Sequence, residues 1–209
     1  DELRRRFPDQ LSITYRFIPL FGCTERRIGE GWRERGGYAG FGEHVREVAS
    51  EWDHVSVHPG VWRDAVPASR VSPHLFLKAI QLFEGEGGIA ADPVAAYDGR
   101  SVFEQAVWEM RRRFFAEARD IARTEVQEAL AAELGLPMDR IRELRECGRA
   151  HAALHADLEL RDHYQVPGSP TLILNGGRQR LFGNVGYRIM EANVRELLHN
   201  PHSGEASWC

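Results

Sequence analysis

The feature that most constrains this chain is a change of period near its C-terminal end. For roughly 120 residues the apolar positions recur at helical spacing, and then the pattern shortens abruptly to that of β-strands. TLIL (171–174) and RQRLF (178–182) read as two short strands, and Asn175-Gly176-Gly177 between them is a strong hairpin signal. After Gly183 a last helix is expected through Met190, Val194, Leu197 and Leu198.

Upstream, Leu3 and Phe7 are four apart and Pro8-Asp9 follows, which predicts a helix end over 1–7. LSITYRF (11–17), β-branched and aromatic, predicts a strand. A Gly-rich stretch from Gly29 to Gly42 shows little periodicity. Three apolar stripes follow: Leu75, Phe76, Ala79, Ile80 and Phe83; Phe103, Ala106, Val107, Met110 and Phe114; and Val126, Leu130 and Leu134, closed by Gly135 as C-cap. Pro137 opens another helix that ends near Cys147-Gly148, and 149–163 form one more. A chain of 209 residues can bury a core without disulfide staples. The order is helix, strand, a long helical run, hairpin, helix, and the fold class it predicts is α/β.

Charge and cysteine usage narrow the function classes. A net charge of −4 argues against nucleic acid as the main partner. Arg4-Arg5-Arg6 and Arg111-Arg112-Arg113, the dense basic spots, read as solvated helix faces. Lys78 is the only lysine and falls among apolar helix positions, so Schiff-base chemistry would have to use it. No apolar run approaches the ~18 residues of a membrane span, and no membrane partner is expected. Cys23, Cys147 and Cys209 are widely spaced without a CxxC, which is no disulfide framework and suits a reducing, cytoplasmic setting. The chain opens on Asp1, so a native start further upstream is expected. Cys147, His151 and His155 fall at i, i+4 and i+8, but Gly148 breaks the helix between the first and the rest; no metal site is expected. Cys23, in the loop FGCTE, is a weak candidate nucleophile without a visible base or helix start; a structural thiol is the plainer reading. The terminal Cys209 reads as an exposed thiol in a loosely held tail, 200–209.

The segment VPGSPTLILNGGRQRLFG (166–183) resembles the C-terminal half of a thioredoxin fold. SRVSPHLFLKAIQLFEGE and RRRFFAEARDIARTEVQEALAAELGL resemble the helical insertion of the DsbA-like family, in the branch of FrnE-like oxidoreductases and 2-hydroxychromene-2-carboxylate isomerases, with kappa-class glutathione transferases nearby. The resemblance implies a thioredoxin-like domain over 1–39 and 164–199 and a helical insertion over 40–163. It also implies a cis-proline at Pro170, between Ser169 and Thr171. The main chain of Ser169 would then be free to pair with an extended thiol-bearing substrate as one added strand. Family members carry a CxxC, or a Ser or Cys variant, where the first strand meets the first helix; helix N-termini favour the thiolate. This chain begins inside what would be that helix. The missing strand belongs between 11–17 and 171–174, and a gap of about one strand, ~9–10 Å, is expected there.

The function implied is a thiol–disulfide oxidoreductase acting on a peptide or small-molecule thiol or disulfide, with its catalytic thiol upstream. A glutathione-dependent isomerase or transferase is the second reading, with glutathione as co-substrate and no other cofactor. Asn184-Val185-Gly186, leading into the last helix, could hold a glutathione carboxylate. Glutathione-dependent relatives usually have an acidic and a basic residue where this chain has Asn184 and Val185. The third reading is a redox-inactive binding module. Upstream residues discriminate: CxxC for the oxidoreductase, Ser or a single Cys for the isomerase or transferase, neither for the module. The resemblance leaves the oligomeric state open.

Overall fold

A computed structural model describes residues 2–53 and 55–201. The chain divides into two compact units, one made of 1–18 and 157–209 and the other of 19–156. The helical unit is therefore wider at its N-terminal side than the 40–163 expected from sequence: residues 19–39 go with it, and 157–163 go with the strands.

In the unit 19–156 the helices are α2 (Gly37–Ala49), α3 (Val71–Gly85), α4 (Val102–Phe115), α5 (Thr124–Glu133), α6 (Met138–Glu146) and the first half of α7 (Arg149–His163); α1 (Glu2–Arg6) belongs to the other unit. The three stripes read from the sequence form its core: Leu75, Phe76, Ala79 and Ile80 of α3, Phe103, Ala106, Met110 and Phe114 of α4, and Leu130 of α5 are all buried. Three of the ends of α4–α6 have a local cause. Ser101 and Glu104 exchange side-chain-to-backbone hydrogen bonds in a capping box that starts α4, and Gly135 and Gly148 take the left-handed conformation just beyond α5 and α6. Lys78 is buried, its ammonium donating to Gln81 Oε1 at 2.8 Å.

Two expectations fail in this unit. The Gly-rich stretch is not irregular: a π-helical turn spans Glu25–Glu30, and α2 begins at Gly37. Packing overrides propensity here. Phe21, Trp32, Phe41 and Trp62 form an aromatic cluster with ring centroids 5.0–5.7 Å apart. A Cβ on Gly42 would stand 2.5 Å from the Val61 carbonyl, so glycine is what lets α2 approach that strand-like turn. The second failure is Arg113. Its neighbours Arg111 and Arg112 are exposed, but Arg113 is buried and ion-paired with Glu109 and Glu133.

In the other unit, β1 (Thr171–Leu174) and β2 (Gln179–Phe182) pair antiparallel with Thr171 opposite Phe182 and Leu174 opposite Gln179. Asn175, Gly176 and Gly177 all have positive φ, the backbone a tight reversal needs. The last helix, α8 (Tyr187–His199), buries Val194 and Leu197. Phe7, just after α1, is also buried, with the Arg195 guanidinium 5.5 Å over its ring.

The expected strand at 11–17 is not in a sheet. Among the described residues the sheet has two strands, β1 and β2, and no ladder joins 11–17 to either. A strand exists only with a partner, and here the segment is fixed from one side by a side chain instead. No described helix is long and apolar enough to cross a membrane.

His74 of α3 provides a test of the helical core. Enclosure, then the charges of Arg70 and Lys78, lower its pKa from 6.5 to about 4. The folded state then binds a proton less readily than the unfolded chain between those values. Stability is complete above about pH 6.5 and falls as pH drops toward 4. Urea unfolding should show a loss of about 2 kcal/mol between pH 7 and pH 5 that His74→Gln removes. An unchanged pH dependence in that variant would contradict the placement of His74.

Candidate functional site

Between the segment 11–18 and β1 lies an open slot of about 550 Å³. One wall is formed by Ser12, Thr14, Arg16 and Ile18, every second residue, which is the signature of an extended chain presenting one side. The opposite wall is Gly168, Ser169, Thr171, Ile173 and Asn175, again at period two through β1. The floor is one face of α7 and the turn after it: Asp157, Leu160, Arg161 and Tyr164, at i, i+3, i+4 and i+7. Two extended segments thus face each other over a helix without bonding to each other.

The polarity of the slot follows from these periods. Its lining combines hydroxyl and amide groups with the apolar side chains of Ile18, Leu160, Val166 and Ile173. All four β1 residues are only half-buried, although Leu172, Ile173 and Leu174 are apolar on both faces of the strand. Such a strand reads as one that is buried on both sides when its sheet is full.

Asp157 fixes the first wall. Its side chain is fully buried; Oδ2 accepts from the Phe17 N–H at 2.8 Å and Oδ1 from Arg16 Nη1 at 3.1 Å. A buried carboxylate is costly unless its oxygens are hydrogen-bonded, and here a backbone donor and a guanidinium serve them. The second wall is tied down at both ends. Gly183 N–H donates to the Pro170 carbonyl at 3.0 Å, Thr171 Oγ1 donates to the Gly168 carbonyl at 2.7 Å, and Arg180 Nη1 donates to the carbonyls of Tyr164 and Gln165. The Ser169–Pro170 peptide is cis. Both residues are exposed, and the Ser169 main chain makes no hydrogen bond among the described residues.

The structure brings Ser169 and Thr171 together in the slot, with Pro170 between them. Asn184 and Val185 are not among its walls; they form the turn after β2, where Val185 N–H donates to the Gly183 carbonyl. Cys23 is exposed and belongs to the other unit, one residue before Thr24, the cap of the π-helical turn. Cys147 caps α6, Gly148 beyond it is left-handed, and His151 and His155 are exposed on α7. Among the described residues no group of three His, Cys, Asp or Glu side chains is arranged to hold a metal. Cys209 and residues 202–208 of the tail lie outside the described residues.

Sequence reasoning missed Asp157 and the α7 floor. The signal was present: Ala150, Leu154 and Asp157 are the buried residues of α7, so an acidic residue stands in the register of the buried stripe. An Asp in a helix rich in Ala and His reads otherwise as solvated.

Residues 89–195, more than half of the chain, match the DSBA-like thioredoxin domain. The fold is similar to the crystal structure of a "putative protein disulfide isomerase" from Nitrosomonas europaea, at 18% sequence identity and TM-score 0.62, with 97% of this chain and 88% of that one covered. No curated protein matches the chain.

If Asp157 holds the first wall, Asp157→Ala should cost about 2–3 kcal/mol in chemical denaturation, because it strands a buried backbone donor as well as deleting a charge. Arg16→Ala, whose partner keeps its backbone bond and whose own side chain is half exposed, should cost under about 1 kcal/mol. Equal costs would show that Phe17 does not depend on the carboxylate.

Proposed function

The chain belongs to the DSBA-like thioredoxin-domain family, and from that premise we propose that it serves thiol–disulfide exchange, as a protein-disulfide oxidoreductase whose substrate docks beside Ser169 and Pro170. The observation that carries this reading is the open slot with Ser169 exposed in its wall and its main chain unengaged. A segment bearing the reactive thiol would fill the slot between 11–18 and β1, and its hydrogen bonds to both walls would complete the sheet.

The chemistry that follows is balanced without a further cofactor. A thiolate attacks one sulfur of the substrate disulfide; the S–S bond breaks, the second sulfur leaves as a thiolate, and a mixed disulfide joins substrate to protein. A second thiol then attacks the mixed disulfide, releasing reduced substrate and leaving the protein's pair oxidised; the reverse sequence oxidises a dithiol. Thr171 and the unengaged Ser169 main chain would hold the extended substrate in register while the sulfurs exchange. Glutathione would serve as the small-molecule partner that resets the pair. A reducing compartment such as the cytoplasm suits cysteines spaced as these are.

One observation favours a second reading: the 209 residues contain no CxxC. A redox-inactive docking module would use the same slot for an extended peptide and need no thiol at all.

Insulin reduction separates these. The chain 1–209 alone should give background turnover only, and the product expressed from its natural start codon should reduce insulin at least about tenfold faster, the ratio expected for a placed thiolate against scattered thiols. Turnover by 1–209 that disappears on Cys23→Ser would place the nucleophile within this chain and overturn the assignment. Background turnover from both forms would favour the docking module.

A further inference from the structure

The apolar stripe of α2 runs past the core that covers it. Phe41, Val45, Val48 and Trp52 recur at i, i+4, i+7 and i+11, the spacing of one helix face. At its N-terminal end the stripe is core: Phe41 meets Phe21, Trp32 and Trp62 at ring-centroid distances of 5.0–5.7 Å. Val45 is half-buried, but Val48 is 48% and Trp52 39% exposed. The winding does not stop where α2 ends. Ser50 keeps right-handed helical φ and ψ, the Trp52 N–H donates to the Ala49 carbonyl at 3.0 Å, and the Val55 N–H donates to the Trp52 carbonyl at 3.0 Å. Val55 is 43% exposed. Scattered exposed apolar side chains need no explanation, but three within residues 48–55, on the extension of a buried stripe, do.

The charges beside this stripe have one sign. Glu43, Glu47 and Glu51 stand at i, i+4 and i+8. Glu47 and Glu51 come one position before Val48 and Trp52, about 100° round the helix from them. All three are exposed, and among the described residues none has an ion pair. Asp53 adds a further exposed carboxylate, and Arg46 is the one arginine between 43 and 53. Like charges four residues apart repel, and a carboxylate in the last turn of a helix meets its negative end. The column thus works against α2 in two ways, whereas Glu86, Glu109 and Glu128 in the same unit sit on guanidinium groups. A negative column beside an exposed apolar ridge is complementary to a positive column beside an apolar ridge.

We propose that the C-terminal half of α2 and its extension to Val55 form a docking surface for a basic amphipathic helix of a partner protein. Val48 and Trp52 pack against the apolar stripe of that helix, and Glu47 and Glu51 pair with the lysine or arginine side chains that flank it. Residues four apart form the ridge that seats in the groove of a neighbouring helix, and Val48 and Trp52 are such a pair. A tryptophan is the side chain most suited to anchor the contact. Charge separates this occupant from two others. A second copy of the chain in a two-fold contact would set the negative column against itself, and an anionic lipid surface would be repelled. The surface lies wholly in the helical unit and uses no residue of the slot, so its test is independent of any disulfide-exchange activity.

Fluorescence anisotropy of a fluorescein-labelled peptide of leucine and lysine at helical spacing, titrated with the 209-residue chain, tests it. The wild-type chain should bind the peptide saturably, with a Kd on the order of 10 μM. The same peptide with glutamate in place of lysine should bind at least about tenfold more weakly. Trp52→Ala should weaken binding of the basic peptide at least about tenfold. Glu47→Lys combined with Glu51→Lys should do the same, and should reverse the preference toward the acidic peptide. Glu125→Lys combined with Glu146→Lys changes the net charge equally at two other exposed positions and should leave affinity within about twofold. That control separates the local column from general attraction to a chain of net charge −4. All these positions are exposed, so thermal unfolding of each variant should match the wild-type chain and show that binding is lost without loss of fold. The proposal is overturned if the wild-type chain binds neither peptide or binds both alike, if the two double variants lose affinity equally, or if Trp52→Ala binds as the wild-type chain does. A dimer in sedimentation velocity that Trp52→Ala abolishes would assign the surface to a second copy and overturn it as well.

Discussion

The carboxylate of Asp157 governs the unit that contains the slot. Segment 11–18 carries strand-forming residues, yet among the described residues no strand pairs with it. An extended chain without a ladder exposes a backbone donor and acceptor at each residue, and nothing in the propensity of Ile13 or Tyr15 would keep it straight. Asp157 supplies a fixed point from the α7 side, where Oδ2 takes the Phe17 N–H and Oδ1 takes Arg16. Burying a carboxylate is costly unless it is hydrogen-bonded, and both of its oxygens are. One wall of the slot is therefore positioned by a side chain, and the other by the β1–β2 ladder with its ties from Gly183 and Arg180.

That arrangement explains why so apolar a strand as β1 is left half-buried. Consecutive apolar residues in a strand call for cover on both of its faces. Here the edge looks into the slot. Unpaired strand edges template pairing with another chain, and in this protein the edge leads directly to Ser169, which is exposed and free in its main chain. The same geometry that leaves the sheet narrow thus gives the docking reading its physical basis.

How much was legible in the sequence depended on whether local and tertiary forces agreed. The helices α3 to α8 were legible because their apolar stripes, glycine stops and caps point the same way: Ser101 three residues before Glu104, Gly135 and Gly148 just past helix ends, Asn175-Gly176-Gly177 between strands. Residues 25–50 were not, because helix α2 starts at glycine and is held by contacts with Phe21, Trp62 and Val61 that are distant in sequence. Arg113 looked solvated because its charge partner Glu133 is twenty residues away. Asp157 was hidden for the same reason: its partners are 140 residues upstream. Of the candidate site, Ser169 and Thr171 were reached through the resemblance of 166–183 to a thioredoxin-fold segment, since the Gly-Ser-Pro-Thr step alone reads as an ordinary proline opening a strand. The α7 floor was legible only as a register anomaly, and Asn184 and Val185 were placed by resemblance to a turn that the slot does not use.

The central claim is that 11–18 and β1 face each other across the slot with no ladder between them. Residue-resolved amide hydrogen exchange of the 209-residue chain tests it most directly. The account predicts that the Ser12, Thr14 and Arg16 amides exchange at close to unprotected rates, while Phe17, bonded to Asp157, is slowed by at least about tenfold, the factor for one hydrogen bond of ~1.4 kcal/mol. Uniform protection along 12–17, matching that of Leu172 and Leu174, would require a ladder between the two segments and would contradict the account.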